Sequence, residues 1–248
     1  MTRTSDLDII RIYKPDTHHL GSIFAGTSGS GKTTALLSSL QFAIRDRRFN
    51  ERHRFVIIDP KAQTGDYDLL AEPIVSLDKM KDSIRKNRVS LFWPTDMEEM
   101  EADVSDIVDY LFELSDGDAK SSFTFILDEA AILISGTRIP NSLKRLSVQG
   151  RSKRIMPVFV SQRPLLNRWT DSNVSNMFLF RILPVDADNL GRRWGLDFQS
   201  IDEKLREKPY SFMWFDLEQA KLQPMNPVEL PKIPKQKPRR RFSSFFKW

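Results

Sequence analysis

The run Gly26-Thr27-Ser28-Gly29-Ser30-Gly31-Lys32-Thr33 constrains this chain more than any other feature. It matches the Gly-x-x-x-x-Gly-Lys-Ser/Thr phosphate-binding pattern and stands between an apolar strand expected at Leu20–Ala25 and a helix expected at Lys32–Asp46. Glycines let the backbone curl so that successive N–H groups point inward, and the following helix adds the positive end of its dipole. Such a cradle takes a polyphosphate. Lys32 is placed to neutralise the β- and γ-phosphates, Thr33 offers a hydroxyl to Mg²⁺, and Thr34 closes the nucleotide-contacting run.

Phosphate loops serve GTPases, kinases and motors alike, so a second acidic site decides between them. Phe123–Leu127 reads as an apolar strand that ends on Asp128 and Glu129. Side chains alternate along a strand, so Asp128 is expected to face Mg²⁺ while Glu129 reaches the attacking water. A lone acid would only hold the metal; the added glutamate supplies a general base for hydrolysis. The Asn-Lys-x-Asp run of guanine recognition is absent. The expected chemistry is therefore hydrolysis of ATP with Mg²⁺. A further apolar strand, Val158–Ser161, leads to Gln162, whose amide is expected at the sheet's carboxyl edge beside the γ-phosphate.

Between Leu20 and Gln223 short apolar runs alternate with amphipathic stretches, the pattern of an α/β fold with a mostly parallel sheet and helices on both faces. The other strands are expected at Phe55–Asp59, Val89–Trp93 and Tyr210–Phe215, with helices at Asp96–Leu114, Ala130–Ile134 and Asn141–Gln149. The acids Asp96, Glu98, Glu99 and Glu101 read as the solvated first turn of a helix rather than a metal site. The 248 residues suit one domain, expected at 20–223, with a short extension at 1–19 and a tail at 224–248.

Charge is concentrated in that tail, where seven Lys/Arg face the single acid Glu229, against a net +5 for the whole chain. Its prolines predict an extended course ending in Arg239-Arg240-Arg241 and the aromatics Phe242, Phe245, Phe246 and Trp248. That composition fits a solvated tail, a nucleic-acid clamp, or a docking peptide for a capsid vertex or membrane surface. Cysteine is absent and the three histidines lack metal-ligand spacing, so disulfides and thiolate metal sites are excluded. No apolar run reaches the roughly 20 residues of a membrane span, so the chain is not expected to be an integral membrane protein and a cytoplasmic location is expected. Trp93, Trp169, Trp194 and Trp214 read as packing residues. Arg138, Lys144, Arg145, Lys153 and Arg168 read mostly as ordinary surface cations.

Taken together, the phosphate loop, Ile-Ile-Asp-Pro-Lys at 57–61, the Asp128–Glu129 pair, Gly150-Arg151 before a strand and Ser-Gln-Arg-Pro at 161–164 resemble the FtsK–HerA superfamily of DNA-pumping ATPases. The resemblance runs from about Leu20 to Arg181 and implies a RecA-like P-loop core acting on double-stranded DNA as a homo-oligomeric ring, commonly a hexamer. It also implies an arginine that completes the neighbouring subunit's site, a role open to Arg151 or Arg154. Asp59 and Lys61 match the second-strand motif, although a turn after a buried strand would use the same Asp-Pro pair. Pro157 departs from the pattern, because proline removes a ladder donor, and pairing is expected to start at Val158.

The short flanks resemble the compact genome-packaging ATPases of icosahedral viruses with an internal membrane, which implies the host cytoplasm or the virion as the place of action. A conjugation or secretion motor is the alternative, and a nucleotide-binding scaffold without DNA movement a third.

Overall fold

The computed structural model describes residues 21–45, 52–117, 121–206 and 208–228. Its strands are β1 (Gly21–Ala25), β2 (His53–Ile58), β3 (Pro73–Ile74), β4 (Val89–Phe92), β5 (Ser122–Leu127), β6 (Ile155–Ser161), β7 (Val174–Leu179), β8 (Phe212–Asp216) and β9 (Lys221–Met225). They form one sheet in the order β3-β4-β2-β5-β6-β1-β7-β8-β9. All pairings from β3 to β7 are parallel, and β8 and β9 add an antiparallel margin. The helices are α1 (Lys32–Arg45), α2 (Leu77–Lys86), α3 (Met100–Gly117), α4 (Asn141–Gln149), the single turn α5 (Arg168–Asp171), α6 (Pro184–Trp194) and α7 (Phe198–Arg206).

Burial on both faces explains the continuous apolar strands. Ile23, Val56, Ile58, Phe125 and Leu127 pack with Met80 of α2, Val104 and Ile107 of α3, Leu143 of α4 and Leu190 of α6. Phe24, Phe55, Ile57, Ile126 and Val158 point to the other face, against Leu36 and Leu40 of α1. Phe55 to Ile58 are all fully buried. A side chain of that size contributes about 1.5–3 kcal/mol when buried, so a polar residue at any of the four would weaken one face or the other.

Several expected boundaries move for local reasons. The helix expected at Asp96–Leu114 begins at Met100, because Asp96 Oδ1 accepts the Glu98 N–H at 2.7 Å and holds a turn that competes with helix. Ala130–Ile134 forms only the short turn Ala130–Ile132. The strand expected at Tyr210–Phe215 starts at Phe212, since Tyr210 takes a left-handed conformation (φ 60°) that ends an extended run. Pro157 lies inside β6, in register with Phe125 of β5, while pairing with β1 starts at Ser22 and Val158. Its ring lies where a side chain of residue 21 would go: a Cβ on Gly21 would come within 2.6 Å of Pro157 Cγ.

The extension 1–19 and most of the tail, from residue 229 onward, lie outside the described residues, while Pro224 of the tail belongs to β9. Among the described residues no helix is long and apolar enough to cross a membrane. Three of the four tryptophans pack against the apolar clusters as expected: Trp93 and Trp214 on one face of the sheet and Trp194 on the other, where it meets Phe215 edge-on at 5.5 Å, whereas Trp169 carries Lys144 Nζ 4.2 Å from its ring.

Candidate active site

The phosphate loop joins β1 to α1 and is pinned from both sides. Gly26 N donates to Ser161 O at the end of β6 (3.2 Å), and Thr27 N donates to Arg181 O just beyond β7 (2.7 Å). Glycine is required at 26, where φ is 156° and an added Cβ would meet Phe180 Cβ at 2.7 Å and Ser30 Oγ at 2.9 Å. Lys32 Nζ donates to Gly26 O (2.6 Å) and Thr27 O (3.0 Å). Burial pulls the Lys32 pKa down, with Glu129 and Asp128 pulling the other way and Lys61 adding to the depression. Inside the loop Ser30 Oγ is buried without a hydrogen-bond partner, a polar atom left for a ligand oxygen.

Asp128 and Glu129 follow β5, two strands from β1. They lie in a turn rather than in the strand, so the expected strand alternation does not set where they point, and one ammonium, Lys61 Nζ, lies near both carboxylates. Glu129 is left-handed (φ 48°, ψ 44°), and its N–H donates to Asp128 Oδ1 at 2.7 Å. A non-glycine residue there costs on the order of 1 kcal/mol, and such strain collects at functional positions. Gln162, directly after β6, donates through Nε2 to Glu129 Oε1 at 3.1 Å. The loop, the acids and the amide thus meet at the carboxyl ends of β1, β5 and β6. Thr33 lies in the first turn of α1, and Thr34 beside it is exposed.

A second lysine enters from the end of β2. Lys61 Nζ stands 3.0 Å from Asp128 Oδ2 and 3.9 Å from Glu129 Oε2. Its backbone N–H donates to Asp59 Oδ1 at 3.1 Å, which makes the Asp59-Pro60-Lys61 turn the support of that contact. Burial opposes the Lys61 charge, but Asp128 and Glu129 outweigh it and the pKa is raised. Asp59 is buried with Oδ2 unpartnered, and burial together with Asp128 pushes its pKa up to about 6. Tyr67 is fully buried, and burial, Asp128 and Asp59 hold its hydroxyl well above its ordinary value.

This donor set fits Mg²⁺ bound together with a nucleotide. Magnesium keeps waters and takes one or two protein oxygens plus phosphates, and Asp128 with the Thr33 hydroxyl supplies that number. Among the described residues no group of three or more His, Cys, Asp or Glu could hold a metal by itself. The Lys61 ammonium beside Asp128 shows that the carboxylate already accepts a cation.

Arg151 and Arg154 stand apart from this cluster, in the turn that precedes β6, at the opposite end of that strand from Gln162. Seven strand residues span roughly 20 Å, so neither arginine reaches the site of its own chain. Both are exposed, and Arg154 is left-handed (φ 54°). The five surface cations are engaged: Arg138 with Glu101 (2.8 Å), Arg145 with Asp109 (3.2 Å), Lys153 with Asp116, and Lys144 and Arg168 with the Trp169 ring. Two further residues at the loop carry no motif. Arg181 Nε donates to Thr27 Oγ1 at 3.4 Å, and a Cβ on Gly31 would lie 3.2 Å from Tyr210 Cδ1. Only three-dimensional adjacency of β1, β7 and β8 reveals them.

No family model and no curated protein matches the chain. Among solved structures it is similar to the genome packaging NTPase B204 from Sulfolobus turreted icosahedral virus 2. The AMP complex of that protein has a TM-score of 0.67 at 12% identity, covering 86% of this chain and 100% of that one. The ATPγS complex has a TM-score of 0.65 at 13% identity, with the same coverage. VirB4 of Thermoanaerobacter pseudethanolicus is similar with a TM-score of 0.61 at 9% identity, over 85% of this chain and 90% of that one. At such identities the likeness is one of architecture: the chain has the RecA-like P-loop fold of the packaging NTPase and VirB4 structures.

Proposed function

We propose that this chain is an ATPase of the FtsK–HerA type that pumps double-stranded DNA, packaging a viral genome into a preformed capsid. The observation that carries the reading is the convergence of Lys32, Asp128, Glu129 and Gln162 at one sheet edge, with Gln162 hydrogen-bonded to Glu129. Gly26 to Thr34 wrap the triphosphate. Lys32 exchanges its loop-carbonyl partners for phosphate oxygens, and Ser30 Oγ gains an acceptor. Thr33 and Asp128 hold Mg²⁺, which when bound neutralises charge developing on the phosphates. Glu129 takes the proton of the attacking water, and Gln162, tied to the same carboxylate, reports whether the terminal phosphate is present.

Arg151 and Arg154 lie far from the site of their own chain, which is compatible with one of them completing the site of a neighbour in a ring, a hexamer in this reading. Hydrolysis then depends on assembly. The packaging NTPase and VirB4 structures agree with this chain about equally well, with TM-scores of 0.62–0.67 and 0.61, so the viral branch rests on the sequence resemblance rather than on the structural likeness. The site of action is the host cytoplasm or the virion, with the basic aromatic tail docking on a capsid vertex or membrane surface.

The test is ATP hydrolysis with and without double-stranded DNA, alongside the mass of the assembled particle. Stimulation by DNA in a ring-sized particle is expected. Hydrolysis by a DNA-indifferent monomer would overturn the motor, and nucleotide binding without hydrolysis would favour a scaffold.

A further inference from the structure

The ATPase reading orients its substrate across the sheet. β1, which carries the phosphate loop, has β6 and β5 on one side and β7 and β8 on the other. Asp128, Glu129 and Gln162, which attend the terminal phosphate in that reading, all belong to the β6–β5 side. A nucleoside triphosphate carries its terminal phosphate and its base at opposite ends. Its sugar and base therefore leave the loop toward β7 and β8. Because β8 runs antiparallel to β7, the residues that enter β8 stand at the same sheet edge as the loop.

Two adjoining cavities open at that place. One, of about 370 Å³, is lined by Gly29 and Ser30 of the loop, by Arg181 and Arg206, and by the segment from Lys208 to Ser211 that includes Tyr210. The other, of about 530 Å³, shares Arg181 and Arg206 and reaches Thr27 and Pro184. Both volumes fall within the span of small-ligand sites, about 300–1,000 Å³. Arg181 is joined to the loop through Thr27 Oγ1, and Arg206 donates to Ile182 O at 3.0 Å, so two guanidinium groups are built into the cavity wall. A positive wall beside the cradle suits the α-phosphate and ribose of an anionic ligand.

Tyr210 has three properties that packing alone does not explain. It is 63% exposed, it holds φ at 60°, and its ring lies against Gly31. A bulky residue in the left-handed region is a genuine outlier, and such outliers cluster at ligand clamps. The turn that presents it is anchored, with Ser211 N donating to Lys208 O (3.3 Å) and Lys208 Nζ donating to Asn226 Oδ1 (2.5 Å). Two residues further on, Phe212 stacks on Phe180 at 5.0 Å and fixes the start of β8 to the end of β7. An aromatic face held in water next to a phosphate cradle is a platform for a planar heterocycle.

We propose that Tyr210 stacks on the nucleobase of the bound nucleotide, in the cavity that it shares with Arg181 and Arg206. This rests on the ATPase reading and adds the residue that holds the nucleoside end. Stacking is sequence-tolerant because every base has a π-face, so the subsite strengthens binding of ATP and GTP alike.

The test compares ATP, GTP and inorganic tripolyphosphate by titration calorimetry on the full chain. Tyr210→Ala is expected to weaken both nucleotides about tenfold and to leave tripolyphosphate within twofold of wild type, while Tyr210→Phe keeps wild-type affinity for all three. In Tyr210→Trp, ATP is expected to quench tryptophan fluorescence beyond the wild-type change, and tripolyphosphate is not. Equal weakening of tripolyphosphate and ATP in Tyr210→Ala would show that the ring only shapes the loop, and unchanged ATP binding would show that it does not touch the nucleotide; either overturns the proposal while the ATPase reading stands. A wild-type chain that bound neither ATP nor tripolyphosphate would remove the ATPase reading and this subsite with it.

Discussion

Lys61 Nζ lies 3.0 Å from Asp128 Oδ2, so the buried carboxylate assigned to Mg²⁺ is neutralised by a lysine from the neighbouring strand end. That contact makes Lys61 the competitor of the metal. Removing one partner of a buried pair costs about 3–5 kcal/mol, but the Lys61 side chain is 36% exposed and solvent screens it, so Lys61→Met should cost only about 1–2 kcal/mol. The same variant should gain more thermal stability from millimolar Mg²⁺ than wild type, because Asp128 then lacks its nearest counter-charge and keeps only the Lys32 charge. Melting curves in EDTA and in Mg²⁺ check both effects. An identical Mg²⁺ response in the two proteins would remove Lys61 from the metal's place.

Two buried titratable groups should produce opposing pH dependences. His53 bonds Ser122 Oγ (2.8 Å) and Thr124 Oγ1 (2.9 Å), and burial, aided by Arg88, pushes its pKa down from 6.5 to about 3. Its stabilisation is complete above pH 6.5 and is lost as pH falls toward 3. Asp59 is raised from 3.8 to about 6 by burial and by Asp128, so its stabilisation is complete below pH 3.8 and is lost as pH rises through about 6. Between these limits the two slopes, each about 1.4 kcal/mol per pH unit, cancel. Relative to wild type, Asp59→Asn should therefore lose stability as pH falls from 6 to 4, and His53→Gln should gain it. Denaturant titrations at three pH values measure the slopes; parallel lines for wild type and both variants would contradict the assignment.

What the sequence disclosed follows from how local each feature is. Gly26 to Thr33 and the Asp128–Glu129 pair are contiguous, and their chemistry needs only a strand before them, so both were legible. Lys61 was half legible, since Asp59-Pro60-Lys61 also reads as an ordinary turn until Asp128 is seen beside it. Arg181 and Tyr210 were invisible because their contacts with Thr27 and Gly31 cross more than 150 residues of sequence. β7 was obscured by Ser175 and Asn176, whose polar side chains are satisfied by Glu218 and Trp214 only in the folded sheet. β9 contains Pro224 and little apolar pattern, which an edge strand tolerates and a central strand would not. α2 is short and charged, with only Met80 and Ile84 turned inward as buried apolar anchors.

The hydrogen bond from Gln162 Nε2 to Glu129 Oε1 separates binding from chemistry. Glu129→Gln should retain ATP affinity within about threefold and lose hydrolysis by roughly 10² or more, since general-base catalysis is worth about 10²–10⁴. Gln162→Ala should also keep binding, with a smaller loss of turnover, because Glu129 then loses only its orienting partner. Single-turnover hydrolysis beside equilibrium ATP binding distinguishes the two. Substantial turnover in Glu129→Gln would mean that another group handles the water.

Arg151 and Arg154 flank the turn before β6, roughly 20 Å from Gln162 of the same chain, so any catalytic contact they make is with a second subunit. An arginine supplied in trans is worth about 10³–10⁵ in rate, hence wild-type turnover per chain should rise steeply as dilution is reversed. Arg151→Ala should bind ATP normally yet stay slow at every concentration. Mixing it with Lys32→Ala makes the decisive case: each variant lacks a different part, and subunits with an intact loop can receive Arg151 from neighbours that bind no nucleotide. Partial recovery of turnover in the mixture, absent from either variant alone, is the expected result. Recovery with Arg154→Ala in place of Arg151→Ala, and none with Arg151→Ala, would transfer the role to Arg154, whose left-handed backbone (φ 54°) already sets it apart from the rest of the turn.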